Sequence, residues 1–377
     1  MNATRHPADH LLYSADEDDL RATVRAFLSE AATATSILAR IETDEPYAHQ
    51  DWVTLAYEIG LAGLPIAEEA GGVGATWREV AVVAEEIGRT VAPLPFLGTV
   101  LATATLLGTP QRPDTLDLLA AIAAGPTLTT LAVPLTASPT SDIATTVGAD
   151  GLELTGTVNA VADLAPAQRI LVPAQTADGS VGLYLVDADS DGVGIESVTS
   201  LDLTRPIAAL RLRSAPATLL AHGHDAEAAL RRALSVGAAI LAAEQVGIAA
   251  YCLDSTVEYV KTRYQFGRPV GSYQAVKHRL AELHVNLGQA RAAARYAASC
   301  VAEADRDAPI AVGVAQAFCS RTAIQAAEEA IQLHGGIGFT WEHPAHLYLK
   351  RAKADQLALG SAEAHHATLA TLLDLPA

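Results

Sequence analysis

Apolar side chains recur at helical spacing along the first third of the chain. Leu20, Val24, Phe27 and Leu28 fall on one face of a helix that Ser14 and Glu17 open with a capping-box pattern. "DWVTLAYEIGLAGL" reads as a second amphipathic helix stopped by glycine, and "AEEAGGVGATWREVAVVAEEIGRTVAP" as a glycine turn leading into a third. From about 125 to 220 the texture changes to short runs rich in Val, Leu, Ile and Thr: "DGLELTGTVNAV", "QRILVPAQTADGSVGLYLVDA" and "IAALRLRSA". Asp-Gly pairs at 150–151 and 178–179 punctuate them as turns. These predict a small antiparallel β domain. From 224 onward three long helical patterns follow, and a last one surrounds Glu363. Long helices joined by short turns make a bundle. The pattern therefore predicts an α+β chain: an N-terminal all-α domain (1–124), a middle β domain (125–222) and a C-terminal bundle of four-helix type (223–377). No internal repeat or low-complexity linker interrupts it.

Composition narrows the picture. The chain has 377 residues, half of them hydrophobic and 18% charged, so a large core is easily supplied. Ala and Leu dominate, which favours helix. A net charge of −18 without a basic patch argues against nucleic acid and anionic membranes as partners. Cys252, Cys300 and Cys319 are widely spaced, with no C-x-x-C; this suits buried thiols in a reducing compartment and offers no metal or disulfide framework. The N-terminal "MNATRHPADHLL" lacks the apolar core of a signal peptide. The most membrane-like run, "ALSVGAAILAAEQVGIAAYCL", is interrupted by Glu244 and Gln245 and reads as a buried helix. A cytoplasmic protein is expected.

The stretch "QLHGGIGFTWEHP" holds three glycines in four residues, after a helical pattern. A dinucleotide fingerprint needs a strand before its glycines, so a phosphate here is not held in the Rossmann manner. Taken alone, Gly335-Gly336 reads as a helix C-cap and turn, as does "GGVG" at 71–74. A second stretch changes that reading. "TRYQFGRPVGSYQAVKHRLA" carries Arg263, Phe266, Gly267, Pro269 and Gln274, and Gln274 stands about 60 residues ahead of Gln332, Gly335, Gly336 and Gly338. This ordered set resembles the acyl-CoA dehydrogenase family. The α–β–α order is similar to that family over essentially the whole chain, and "YEIGLAGLPIAEEAGGVG" looks like it too. The resemblance implies an acyl-CoA dehydrogenase-like fold and an FAD-dependent oxidoreductase that α,β-desaturates an acyl-CoA and passes electrons to an electron-transfer acceptor. It also implies that Arg263, Phe266, Gln274, Gln332, Gly335 and Gly336 reach across a subunit interface to FAD held mainly by the neighbouring chain. The residue types suit that role. Arg263 offers a forked cation for a pyrophosphate, the glycines let backbone approach closely, and the glutamines can pair with adenine or ribityl groups.

The sequence departs from the family where the family's own active site would be. Family chemistry uses a carboxylate base, most often in a Glu-Gly-Thr run; here the run is Leu359-Gly360-Ser361. Some members carry the glutamate on the long helix before R-x-x-F-G, where this chain has Gly237 and Ala238. Glu244 lies two turns further on, so a helix-surface or interhelical hydrogen-bonding role is expected of it. Asp355 and Glu363, which flank the missing base, are expected to be solvated helix charges. In the β domain, Leu135, Ala160 and Ala162 stand where the family places hydroxyls and an aromatic around the flavin ring. His343, His346, His365 and His366 have no converging carboxylate or cysteine, so no metal site is expected and they read as surface or interface histidines. What is kept is what a subunit donates to its neighbour's FAD; what is lost is what it uses for its own. That split points to the supporting subunit of a heteromer with a homologous acyl-CoA dehydrogenase subunit, resembling paired actinobacterial enzymes for steroid-derived thioesters. The alternatives are an active homo-oligomer with its base relocated to Asp355, Glu244 or Glu363, and a non-enzymatic scaffold that has lost FAD.

Overall fold

The computed structural model describes residues 11–43, 45–143 and 145–375; the first ten residues, which carry most of the stretch read above for a signal peptide, lie outside these. Six helices come first: α1 (Ala15–Ala31), α2 (Ala34–Ile41), α3 (His49–Val53), α4 (Trp77–Thr90), α5 (Phe96–Gly108) and α6 (Pro113–Ala123). Ser14 and Glu17 form the expected capping box on α1, and Val24 and Leu28 are buried. The second predicted helix is shorter and less regular: α3 passes into a π turn over Thr54–Glu58 and ends at Gly60, whose φ of +78° suits glycine. Thr76 and Glu79 cap α4 in the same reciprocal way as α1.

Strands β1 (Thr129–Leu131), β2 (Val147–Asp150), β3 (Glu153–Ala162), β4 (Arg169–Gln175), β5 (Val181–Asp187), β6 (Val193–Val198), β7 (Ile207–Pro216) and β8 (Thr218–His222) follow. They make one sheet in the order β6-β7-β3-β2-β4-β5-β8, with β1 beside β4. Both Asp-Gly turns close hairpins, β2–β3 and β4–β5. The sheet is not purely antiparallel, which corrects the sequence reading: β1 and β2 both pair with β4 in parallel. Such pairings join segments distant in sequence, so no local turn signal announces them. The sheet has an apolar core of its own around Leu154, Val158, Ile170 and Leu210.

Helix α7 (His224–Thr262) runs 39 residues. It is followed by a small hairpin, β9 (Tyr264–Gln265) and β10 (Arg268–Pro269), and then by α8 (Gln274–Ala302), α9 (Ala308–His334), α10 (Ala345–Leu357) and α11 (Ala362–Leu372). Among the described residues α7 is the one helix long and apolar enough to cross a membrane, and it is buried inside the protein. α8 and α9 pack against α7 within the bundle, while α4 and α5 lie against it from the N-terminal region. α7 is thus the shared spine of both helical parts. α4 crosses it at backbone contact: a Cβ on Gly88 would stand 2.0 Å from the Glu244 carbonyl oxygen, and one on Gly247 would stand 1.9 Å from that of Glu85.

Candidate functional site

Two regions hold the residues singled out in the sequence. The first is an end of the bundle. Tyr259, near the end of α7, stacks on His334 at the end of α9, with ring centroids 4.4 Å apart. This contact brings the ends of both helices together beside the start of α8. Phe266 (φ +52°) and Gly267 (φ +79°) turn the hairpin, and the Phe266 ring is 94% exposed. The hairpin folds back on α8 through Arg268, whose guanidinium sits 3.8 Å over the Tyr273 ring, and through the Tyr273 hydroxyl, which donates to the Gln265 carbonyl at 3.2 Å.

Arg263 leaves α7 exposed to solvent. Gln274 opens α8 and Gln332 lies on the last turn of α9; both are exposed. Gly335 has φ +65°, and a Cβ on Gly335 or Gly336 would meet no heavy atom within 4 Å. All six predicted contacts therefore share this end of the molecule. An exposed cation at the end of α7 and two open glycine backbones at the end of α9 are residue types that suit the pyrophosphate and adjoining groups of a dinucleotide approaching from outside the chain. Beneath the glycines His334 is buried, and its Nδ1 lies 2.6 Å from the Ala330 carbonyl. His343 packs on His334 with centroids 4.3 Å apart, and His346 stacks on Trp341. Burial holds all three histidines below the usual imidazole range.

The second region is interior. Leu359 is fully buried with φ +54°. Its amide donates to the Leu135 carbonyl at 2.8 Å, and the Leu135 amide donates to the Ala160 carbonyl at 2.9 Å. Ala160, at φ +54°, lies in a register shift of β3 against β7 between Val158 and Val161. The irregular strand thus offers its Ala160 carbonyl to Leu135, which links it to Leu359 at the α10–α11 corner. Leu135, Ala160 and Leu359, read separately from the sequence as lost positions, are neighbours in space. Gly237 joins them: a Cβ there would stand 3.1 Å from Leu359 Cδ1 and 2.5 Å from Leu101 Cδ2. Gly237 and Leu359, the positions singled out in the sequence for a missing base, therefore lie side by side, with the aliphatic carbons of Leu101 and Leu359 closing over Gly237. The expectation for His365 is corrected: it is buried, with Nε2 3.0 Å from the Leu359 carbonyl, whereas His366 is exposed.

Of the three alternative bases, only Glu363 is exposed, as expected. Asp355 is fully buried, which corrects its reading as a solvated charge, and Glu244 is buried beside it in an interhelical role. Arg205 bridges them, with Nη2 at 2.7 and 2.5 Å from the two Glu244 oxygens and Nη1 at 2.5 Å from Asp355 Oδ1. Arg351 gives Nη1 to Glu244 at 2.8 Å and Nη2 to the Thr204 carbonyl at 2.8 Å. Its Nε donates to Thr204 Oγ1 at 3.0 Å and lies 2.8 Å from Asp202 Oδ2, an ion pair without hydrogen-bond alignment. Three carboxylates thus meet two guanidiniums. The excess falls on Asp355, whose Oδ2 has no partner; burial pushes its carboxyl up to about 7, against the pull of Arg205. Glu244 has its oxygens committed to both arginines. Neither acid stands free to meet a substrate.

Sequence reasoning missed Asp202, Thr204, Arg205 and Arg351. One signal was available: Arg351 and Asp355 are spaced i, i+4 on α10 and so share a face.

A helical region, a sheet and a helical bundle give the chain an α–β–α build. Residues 14–112 match the acyl-CoA dehydrogenase N-terminal domain and residues 227–373 the acyl-CoA dehydrogenase C-terminal domain. The chain belongs to the acyl-CoA dehydrogenase family, whose members are FAD-dependent oxidoreductases. It is 34% identical over 348 residues to the acyl-CoA dehydrogenase IpdE2 of Mycobacterium tuberculosis, covering 91% of this chain and 92% of that one. Among solved structures, a Tcur3481-Tcur3483 steroid ACAD variant superposes with a TM-score of 0.84 at 32% identity, over 95% of this chain and 98% of that one. The ChsE4-ChsE5 complex from Mycobacterium tuberculosis superposes with a TM-score of 0.86 at 26% identity, over 97% and 99%.

Proposed function

We propose that this chain is the supporting subunit of a heteromeric, cytoplasmic acyl-CoA dehydrogenase acting on a bulky, steroid-derived CoA thioester. One observation carries the reading: both places for a base, Leu359 and Gly237, meet in a closed aliphatic contact, while Arg263, Gln274, Gln332 and the Gly335-Gly336 backbone stay open at the bundle end. FAD, when bound, supplies the two-electron acceptor for hydride leaving the β-carbon of the thioester. This chain's contribution is binding. Arg263 would hold the pyrophosphate of FAD seated in the partner, and the two glutamines would hold its polar groups. Leu359 has no lone pair to accept the α-proton, so the base belongs to the homologous partner. The ChsE4-ChsE5 and Tcur3481-Tcur3483 relatives are each named as two components, which supports a heteromer here, and the steroid ACAD supports the substrate class. A separate electron-transfer acceptor would reoxidise the flavin. Relocation of the base to Glu244 or Asp355 is disfavoured by their ties to Arg205 and Arg351.

The test is flavin absorbance per chain after purification alone and with the homologous partner. The chain alone is expected to be flavin-poor and the complex yellow. One FAD per chain with turnover in the chain alone would establish an active homo-oligomer instead.

A further inference from the structure

Gly335 and Gly336 stand on a short segment, residues 335–344, that links α9 to α10. It opens with a 3-10 turn over Gly335–Phe339 in which Gly338 is the one buried residue, and Phe339 and Trp341 are exposed. Beyond that turn its backbone bonds are short-range: the Thr340 amide donates to the Ile337 carbonyl at 3.0 Å, and the His343 amide to the Thr340 carbonyl at 3.4 Å. So little burial and pairing gives a segment low stability against local opening. Rings tie it to the neighbouring helices. His343 meets His334 at the end of α9, with centroids 4.3 Å apart, and His334 in turn meets Tyr259 of α7 at 4.4 Å.

The main chain sets both imidazoles in neutral forms. The Ala330 carbonyl can only accept, so His334 Nδ1, 2.6 Å away, carries the proton. The Ala345 amide can only donate, at 3.3 Å, so His343 Nδ1 presents a lone pair. Ala345 is the first residue of α10. A proton on His343 Nδ1 would break that bond and set a cation at the positive end of the helix dipole. Burial is the largest influence on both rings and holds them below the usual imidazole range. The groups around them add no support for a cation. Tyr259 faces His334 from α7, His346 of α10 acts on His343, and Lys350, also of α10, acts on His346. Among the described residues no carboxylate acts on any of the three histidines; Glu258, next to Tyr259, pairs with Lys261 at 2.7 Å, and Glu342 is exposed.

We propose that His334 and His343, as neutral rings, are positioning residues that hold Gly335 and Gly336 in place, and that protonation releases the segment between them. The consequence for FAD rests on the function proposed above; the clasp itself is a property of this chain alone. Its stability is full above the ordinary imidazole value of about 6.5 and is lost as the pH falls through the lowered values of the folded chain.

The experiment is amide hydrogen exchange of the full chain without flavin at about pH 7.5 and about pH 5, either side of the ordinary imidazole value, each rate divided by its intrinsic value. Amides of residues 336–343 should lose protection at least about tenfold at the lower pH, the equivalent of about 1.4 kcal/mol, while those in the buried middle of α7 keep theirs. His343→Asn keeps an acceptor for the Ala345 amide, and His334→Phe keeps a ring against Tyr259; neither can be protonated. The double variant should hold the same protection at both pH values, and His343→Ala should have lost it already at the higher one. Unchanged protection of the native segment across this range would overturn the proposal whether or not the variants fold. So would an equal loss in the native and double-variant chains. No flavin is read, so either failure is distinct from a failure of the absorbance test above.

Discussion

Arg263 and Arg205 carry the same guanidinium into opposite surroundings. Arg263 stands in solvent at the end of α7 with its fork exposed, while Arg205 is buried and gives its nitrogens to Glu244 and Asp355. The glycines follow the same division. Gly335 and Gly336 face open space, whereas Gly237 is closed over by Leu101 and Leu359. A charge buried in protein must be matched by protein, so it has nothing left for a ligand; a charge at the surface is matched by water, which a ligand can displace. The outward guanidinium is therefore open to a ligand, and the inward one is committed to the protein's own carboxylates.

The largest test of that contrast is Arg205→Met. Removing one partner from a buried ionic cluster strands the others and should cost about 3–5 kcal/mol in denaturant unfolding. Arg263→Ala should change stability by no more than about 0.5 kcal/mol. If the two changes destabilise equally, the contrast between the regions fails. The second test concerns binding: in the complex, Arg263→Ala should weaken FAD retention at least about tenfold, the loss of a charge-assisted pair worth roughly 1.5–3 kcal/mol. FAD occupancy unchanged under dilution would reduce Arg263 to a helix-end charge.

The third test is a pH slope. The Asp355 carboxyl is raised from its ordinary range to about 7 by burial, so its folded form prefers the proton. Stability from this group is fully present below the ordinary aspartate range near 4 and is lost as pH rises through 7. Between pH 5 and pH 8 the native chain should lose roughly 2–3 kcal/mol relative to Asp355→Asn, which keeps an acceptor for Arg205 and carries no charge. Parallel pH profiles for the two proteins would show that Asp355 is ionised throughout.

The motifs that meet at the bundle end were legible in the sequence because each of them is local. A turn needing glycine, an arginine at a helix end and two glutamines at fixed offsets all show in short windows. The α–β–α order was legible because the hydrophobic period switches near 125 and again near 224. The ionic cluster was not, because its members join across long separations: Arg205 meets Glu244 over 39 residues and Asp355 over 150. Lys350, Arg351 and Lys353 also surround Asp355 with charge in the sequence, which imitates a solvated face. Parallel pairing of β1 and β2 with β4 escaped for the same reason, since register with a distant strand leaves no mark on either strand's own alternation.

The crossing of α4 over α7 has a consequence at the level of the codon. Gly88 and Gly247 each press against the backbone of the facing helix, so any side chain there must push the helices apart. Every change in the first or second base of a glycine codon introduces a side chain or a stop. Each position therefore has only synonymous neighbours that leave the joint intact, and no graded series of substitutions leads away from it. Two glycines thus leave the spine's contact with the N-terminal helices little room to drift.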